Sequence, residues 1–342
     1  MPRKHLLVGV SDPGRAPGTH RLQVFALNAT ATLGRAVAEA LGCPLAAHEE
    51  REFEDGEHKI RPVECVNGAD VYVIQSLHGG PGASANDKLC RLLFFVGALK
   101  DAGAARVTAV APYLCYARKD RRTKPNDPVT TRYVARLFES IGTDAVVTLD
   151  VHNPAAFENA FNCRTVALTA APLFVEHAKA LNDERLCVLS PDPGGVKRAE
   201  IFREALEAAL KRPVAKGIAD KHRSAGVVSG DILAGDVADR TVLIIDDLIS
   251  TGGTLLRAAR AARKAGARRI IALATHGLFM PGAAEVIADP AIDRFAVTDA
   301  VPASRLPHGA LAKLDVLPCA ELLAESIRRL HSGGGFEEFL AY

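Results

Sequence analysis

Two adjacent carboxylates, Asp246 and Asp247, close a branched apolar run, Val242 to Ile245, and a short polar loop follows them: Ser250, Thr251, Gly252, Gly253 and Thr254. Glycine carries no Cβ, so backbone N–H groups at such a loop can approach a phosphate closely. The helix-forming run after it, Leu255 to Lys264, adds the favourable field of a helix N-terminus. Paired acids beside a phosphate loop suit sugar hydroxyls, and the whole stretch suits a ribose 5-phosphate group. The bland alternative is an ordinary strand–turn–helix with a polar turn.

Five other stretches carry chemistry-bearing residues. SPDPGGVKR, from Ser190 to Arg198, sets Asp192 before Gly194 and Gly195 and then Lys197 and Arg198. Its glycine amides can form an anion-binding nest, and Asp192 can hold Mg²⁺. YARKDRRTK places Arg118, Lys119, Arg121, Arg122 and Lys124 around Asp120. Guanidinium groups grip phosphate oxygens bidentately, although a basic cluster also reads as a solvated face or a nucleic-acid patch. FEDGE offers an aromatic ring, Phe53, and the carboxylates Asp55 and Glu57, which suit a base and its amino or hydroxyl donors; otherwise it is an acidic surface turn. His152 lies just past Asp150 at a strand end and reads by itself as a satisfied structural imidazole before a functional one. Lys221 and Arg223 read by themselves as surface charge. No G-x-x-x-x-G-K-[ST] loop is present, so a P-loop does not hold a nucleotide here.

Short branched runs alternate with amphipathic stretches, the pattern of an α/β fold. Strands are expected at 23–27, 71–75, 107–111, 145–149, 186–189, 242–245, 270–274 and 295–297. A helix over Asn86–Lys100 puts Leu89, Leu92, Leu93, Val96 and Leu99 on one face, with Asn86 as its N-cap and Gly103 near its end. Branched strands that end in acids and lead into polar loops occur twice, at Ala145–His152 and Val242–Thr254. This predicts two similar domains with a site between them: residues 1–167 and 168–319, joined near Thr165–Ala171. A last helix, about Ala320–Leu330 within 320–342, is expected to pack back on the first domain.

Composition narrows the class. The chain has 342 residues, enough for two domains. Its 48% hydrophobic and 24% charged residues are ordinary for a globular protein, and a net charge of +2 gives no global field for nucleic acid. Seven cysteines without a C-x-x-C pair read as reduced, mostly buried thiols, not as a disulfide framework or a zinc site. No apolar run approaches the roughly 20 residues of a membrane span. The opening MPRKHLLVGVSDPG has too short an apolar part for a signal peptide, so a cytoplasmic location is expected.

VLIIDDLISTGGT resembles the 5-phosphoribosyl-1-pyrophosphate binding motif of the phosphoribosyltransferase superfamily. Taken with FEDGE, YARKDRR, Asp150–His152 and SPDPGGVKR in this order, it resembles the ribose-phosphate pyrophosphokinase (phosphoribosyl pyrophosphate synthetase) family over about 23–317. The resemblance implies two phosphoribosyltransferase-like domains, each a mainly parallel sheet flanked by helices. It implies transfer of the pyrophosphoryl group of ATP to ribose 5-phosphate, for nucleotide, histidine and tryptophan biosynthesis, with Mg²⁺ as cofactor. By resemblance, Phe53, Asp55, Glu57, Arg118, Lys119, Asp120 and His152 bind ATP, the FEDGE loop reaching a neighbouring subunit. Asp246, Asp247 and Ser250 to Thr254 bind ribose 5-phosphate. Asp192, Gly194 and Gly195 hold the pyrophosphate, His152 and Asp192 stand at the metal, and Lys221, Arg223 and His152 are catalytic, the first two on a loop. A homo-oligomer follows, a hexamer by resemblance, with neither nucleic acid nor membrane as partner. The chain departs from the family's usual Gln at Lys119, small residue at Pro193 and third acid at Ser250. A non-catalytic subunit associated with an active synthetase and a base-using phosphoribosyltransferase are the alternative readings.

Overall fold

A computed structural model describes residues 20–224 and 227–336, with only the backbone over 220–232. The opening segment through Thr19 and the tail from Glu337 lie outside the described residues. The first half runs β1 (Leu22–Ala26), α1 (Ala31–Leu41), β2 (His48–Glu52), β3 (His58–Pro62), β4 (Asp70–Ile74), α2 (Ala85–Asp101), β5 (Arg106–Val110), α3 (Thr130–Ser140), β6 (Ala145–Leu149), α4 (Pro154–Ala160) and β7 (Arg164–Leu168). The second runs α5 (Ala171–Ala180), β8 (Leu186–Ser190), α6 (Val196–Leu210), β9 (Ala215–Ser224), β10 (Val227–Gly235), β11 (Thr241–Ile249), α7 (Gly253–Lys264), β12 (Arg269–Gly277), α8 (Ala283–Ala288), β13 (Arg294–Thr298), α9 (His308–Leu311), β14 (Leu314–Leu317) and α10 (Ala320–Ser332).

Two sheets result. The first is wholly parallel, in the order β1-β4-β5-β6-β7. The second has the order β10-β9-β8-β11-β12-β13-β14, parallel except for the antiparallel β9–β10 pair. β2 and β3 form a separate antiparallel hairpin. The central strands β4, β6 and β8 are buried at every position, as parallel strands covered on both faces must be. This is the expected α/β fold of two parallel sheets flanked by helices.

The eight expected strands are all present, shifted by a residue or extended. Six strands among the described residues were not expected: HEERE and HKIRP of the hairpin are mostly charged, the β9–β10 pair is interrupted by polar residues, and RTVAL of β7 and LDVL of β14 are short sheet-edge strands, each carrying a charged residue. The α2 N-cap is Ser84 instead of Asn86. Asp87 N–H donates to Ser84 Oγ at 3.1 Å while Ser84 N–H donates to Asp87 Oδ2 at 2.7 Å. That reciprocal capping box satisfies two orphan donors where Asn86 alone would satisfy one. Asn86 Oδ1 instead accepts from the Tyr116 hydroxyl.

One apolar cluster is shared by both sheets, joining Leu149 and Leu168 to Leu243, Ile245 and Leu273 through Phe174 and Phe202. Each outer sheet face has its own cluster under its helices. α10 lies on the first half: Arg328 donates to Ala40 O, Arg106 Nη2 donates to Leu330 O at 3.0 Å, and His331 Nδ1 is 2.7 Å from Asp70 Oδ2. Of the seven cysteines, all free, Cys115, Cys187 and Cys319 are buried, Cys43 and Cys163 half-buried, and Cys65 and Cys90 exposed. The thiols are thus less uniformly buried than expected.

Candidate active site

The C-terminal ends of β6, β8 and β11 converge, the place where open parallel sheets bind ligands. A cleft of about 670 Å³ opens there, lined from both halves of the chain. Asp120, His152, Asp192, Gly194, Gly195, Arg198 and Asp246 are in its wall. Asp247, next in sequence, is buried and outside the wall itself, its carboxylate turned to the ring of His152.

Local structure holds each group. Asp192 caps the short turn Pro193–Gly195, its Oδ1 accepting from Gly195 N–H at 3.0 Å. Ser190 Oγ braces this loop by donating to Asp192 O at 2.7 Å. Asp120 Oδ2 accepts from Asn153 Nδ2 at 2.7 Å, which ties the basic YARKD segment to the residue after His152. His152 Nδ1 stands 2.6 Å from Asp247 Oδ2. Arg198 lies beside the acid pair, Nη1 at 3.5 Å from Asp246 Oδ1 and Nη2 at 3.8 Å from Asp247 Oδ2.

These contacts separate the two carboxylates electrostatically. Burial, then the neighbouring Asp247, pushes the Asp246 carboxyl up to about 7. Burial acts on Asp247 in the same sense, but the His152 bond and the Arg198 guanidinium prevail and hold it below the usual carboxylate range. The bond to Asp247 raises the pKa of His152 above that of an ordinary imidazole. The site therefore presents an anchored cation-forming His, an Asp247 that favours its ionised form and an Asp246 that favours its protonated one.

The loop after β11 reaches α7 through Gly252, whose φ of 80° is left-handed and suits glycine. A Cβ there would stand 2.8 Å from Val286 Cγ1. No side-chain bond caps the α7 N-terminus, so its first N–H groups are among those a helix end leaves without an intrahelical partner. Ser250 to Thr254 flank the cleft and are not part of its wall.

Phe53, Asp55 and Glu57 form the turn of the β2–β3 hairpin. Phe53 N–H donates to Glu57 O at 2.8 Å, and Asp55 Oδ1 accepts from Glu57 N–H at 3.0 Å. All three are exposed and none lines the cleft of their own chain. Arg118 and Lys119 follow the left-handed Tyr116 (φ 61°), with Lys119 N–H donating to Tyr116 O at 3.1 Å, beside the cleft wall at Asp120. Lys221 and Arg223 are on β9, paired in register with Asp231 and Val228 of β10; their backbone is strand and not loop, and their side chains lie outside the described residues.

Comparison with known proteins fits this arrangement. A family model described as the N-terminal domain of ribose phosphate pyrophosphokinase matches residues 22–142, and one described as the phosphoribosyl synthetase-associated domain matches residues 228–340. The ribose-phosphate pyrophosphokinase of Caldanaerobacter subterraneus subsp. tengcongensis is 39% identical over 319 residues, covering 92% of this chain and 96% of its own. The chain belongs to the ribose-phosphate pyrophosphokinase family. The Haemophilus influenzae family member is also 39% identical, over 312 residues that cover 90% of this chain and 96% of its own. The crystal structure of phosphoribosylpyrophosphate synthetase from Mycobacterium smegmatis superposes with a TM-score of 0.81 at 32% identity, over 92% of this chain and all of that one.

Within this pyrophosphokinase fold, two residues in the cleft wall, Arg198 and Thr275, and one buried behind it, His276, carry no distinctive sequence signal. Arg198 reads as one more basic residue after a glycine pair. Thr275 and His276 close β12 and read as the polar end of a buried strand, yet both reach across to the first sheet.

Proposed function

We propose that this chain transfers the pyrophosphoryl group of ATP to the C1 hydroxyl of ribose 5-phosphate, giving 5-phosphoribosyl 1-pyrophosphate and AMP. The supporting observation is the convergence of Asp120, His152, Asp192, Arg198 and Asp246 on one cleft formed from both sheets, in a chain aligned with ribose-phosphate pyrophosphokinases over nine-tenths of its length. The C1 oxygen bonds to the β-phosphorus and gives up its proton to solvent, the bond from that phosphorus to the α-phosphate oxygen breaks, and AMP leaves with that oxygen. Such a transfer needs mainly positioning and charge stabilisation.

Ser250 to Thr254 cradle the 5-phosphate, and Asp246 and Asp247 face the ribose hydroxyls, Asp246 from the cleft wall. Arg118, Lys119 and Asp120 hold the polyphosphate end of ATP, and Gly194 and Gly195 the transferred pyrophosphoryl group. Lys221, Arg223 and Arg118 neutralise charge that develops on that group. Because Nδ1 of His152 is engaged by Asp247, Nε2 is the atom left for the cleft. The raised pKa favours its protonated, donating form, so His152 binds phosphate oxygens beside the metal.

Mg²⁺ fits the donors present. Among the described residues no three His, Cys, Asp or Glu side chains gather into a metal cage, while Asp192 keeps Oδ2 clear of its capping bond. One carboxylate with substrate phosphates and water is the usual setting of Mg²⁺ on a nucleotide. When bound there, the ion neutralises and aligns the polyphosphate.

Residues 1–167 form the ATP-contributing domain, joined by the C-terminal helix, and 168–319 the ribose 5-phosphate domain. The exposed FEDGE turn completes the ATP site of a neighbouring subunit, which makes the enzyme a homo-oligomer, a hexamer, acting in the cytoplasm on small molecules. Among the described residues no helix is long and apolar enough to cross a membrane. The test is isotopic: ATP labelled at both the β and γ positions should deliver both labels to the sugar product. Transfer of the γ label alone would contradict the proposed reaction.

A further inference from the structure

β6 is gripped from the second sheet at two successive residues. His276 Nε2 lies 2.8 Å from Leu149 O. Thr275 Oγ1 donates to Asp150 Oδ2, which also accepts from Ala170 N–H at 2.9 Å. All these groups are buried, and among the described residues no strand hydrogen bond joins the two sheets, so the contacts are a bridge made by side chains.

Asp150 adopts a left-handed backbone, φ 40°, that a non-glycine residue holds only when its surroundings impose it. Three bonds hold it there: its N–H donates to Leu168 O at 2.8 Å, and its carboxylate accepts from Ala170 N–H and from the Thr275 hydroxyl, the one of the three that comes from the second sheet. The consequence is geometric. The left-handed residue turns the chain off the line of β6, buries Val151 and directs His152 to Asp247 on β11.

His276 shows the same priority. Among the described residues its buried Nδ1 has no hydrogen-bond partner, a costly condition for a polar atom. Its ring is seated edge-on against Tyr113, with centroids 5.1 Å apart. An apolar residue would leave no orphan atom, but would lose the bond that anchors Leu149. Thr275 is itself fixed, its carbonyl accepting from Thr298 Oγ1 at 2.7 Å.

We propose that Thr275 and His276 are positioning residues for pyrophosphoryl transfer: from β12 they hold the end of β6 so that His152 stands against Asp247 and faces the cleft. This rests on the reading of His152 as part of the catalytic site, and the test separates the two.

The test uses the full chain with Thr275→Val, Thr275→Ser, His276→Leu and His276→Gln. Crystal structures report the His152 Nδ1–Asp247 Oδ2 distance without reference to activity, and steady-state kinetics report kcat and KM. In Thr275→Val that distance should lengthen beyond 3.5 Å and kcat should fall about 10- to 100-fold, the usual cost of a misplacement near 1 Å. KM for ribose 5-phosphate should stay within about twofold, because the 250–254 loop is untouched, a split expected of transition-state positioning. Thr275→Ser and His276→Gln, which keep the donors, should recover most of the loss; His276→Leu should not. An unchanged His152–Asp247 distance in a folded Thr275→Val or His276→Leu protein overturns the proposal. A lengthened distance with unchanged kcat would uphold the positioning and remove His152 from the catalytic site.

Discussion

His152 Nδ1 and Asp247 Oδ2 meet at 2.6 Å across two sheets that, among the described residues, share no hydrogen-bonded strand. The pair joins the end of β6 to the end of β11, and so couples the half of the site assigned to ATP with the half assigned to the sugar. Its pH range follows from the two shifts. His152 has a raised pKa, so the ion pair's contribution is whole below the ordinary imidazole value of about 6.5 and is lost as pH rises through the raised value. Asp247 has a lowered pKa, so its contribution is whole above the ordinary carboxylate value of about 3.9 and is lost as pH falls through the lowered one. Asp247→Asn should therefore move the alkaline limb of the kcat–pH profile toward acid and cut kcat roughly 100-fold. A profile that keeps its alkaline limb in Asp247→Asn would break the link between this bond and catalysis.

Asp246 behaves oppositely. Its carboxyl is raised to about 7 by burial and by Asp247, so the folded state favours the protonated form. That stabilisation is present below the ordinary carboxylate value and is lost as pH rises through about 7. Asp246→Asn removes the ionisation, and thermal unfolding should show a gain on the order of 1–2 kcal/mol at pH 8 and almost none near pH 4. The same variant should raise KM for ribose 5-phosphate. Equal unfolding curves at both pH values would show that the acid is not held protonated.

Away from the cleft, Lys88 is buried beside His78, Nζ to Nε2 3.1 Å, with Arg305 nearby and no acid bonded to it among the described residues. Burial, aided by Arg305, pushes its ammonium down to about 8. The folded state thus resists the charged lysine, in full below about 8, and the penalty fades as pH rises toward the ordinary value. Lys88→Met should stabilise the protein at pH 7 by on the order of 1–3 kcal/mol, an advantage that vanishes near pH 10.5. Calorimetry at the two pH values decides it; a destabilised variant at pH 7 would mean that Lys88 holds a needed contact.

The phosphate loop turns on one glycine. Gly252→Ala must accept φ 80° and a contact 2.8 Å from Val286 Cγ1, a strain of about 1–3 kcal/mol. KM for ribose 5-phosphate should rise at least about tenfold with smaller change in KM for ATP. Gly282→Ala carries comparable backbone strain, φ 95°, but its Cβ meets nothing within 4 Å, so it should lower stability without moving KM.

The α/β fold was legible because parallel strands buried on both faces leave long branched runs, as in Val71–Ile74 and Val242–Ile245. The β2–β3 hairpin was not, since its covered positions are filled by His48 and Glu50, with Ile60 the single buried apolar residue; such strands show no apolar alternation, and HEERE could equally be helix or loop. The cleft residues Asp120, His152, Asp192 and Asp246 were legible through their motifs. Their wiring was not: nothing in a linear sequence says that His152 meets Asp247, 95 positions away. Thr275 and His276 escaped for the same reason. Their function is a pair of bonds to Asp150 and Leu149, and neither Thr nor His at a strand end signals such a bond.

The most direct measurement is AMP release by the purified chain given ATP, ribose 5-phosphate and Mg²⁺, with the sugar product followed by phosphorus NMR. AMP should appear in equal amount to a sugar bearing a C1 pyrophosphate, only when ribose 5-phosphate and Mg²⁺ are both present, and Lys221→Ala should abolish it. Release of ADP in place of AMP, or no turnover by a folded oligomer at high enzyme concentration, would contradict the proposed reaction.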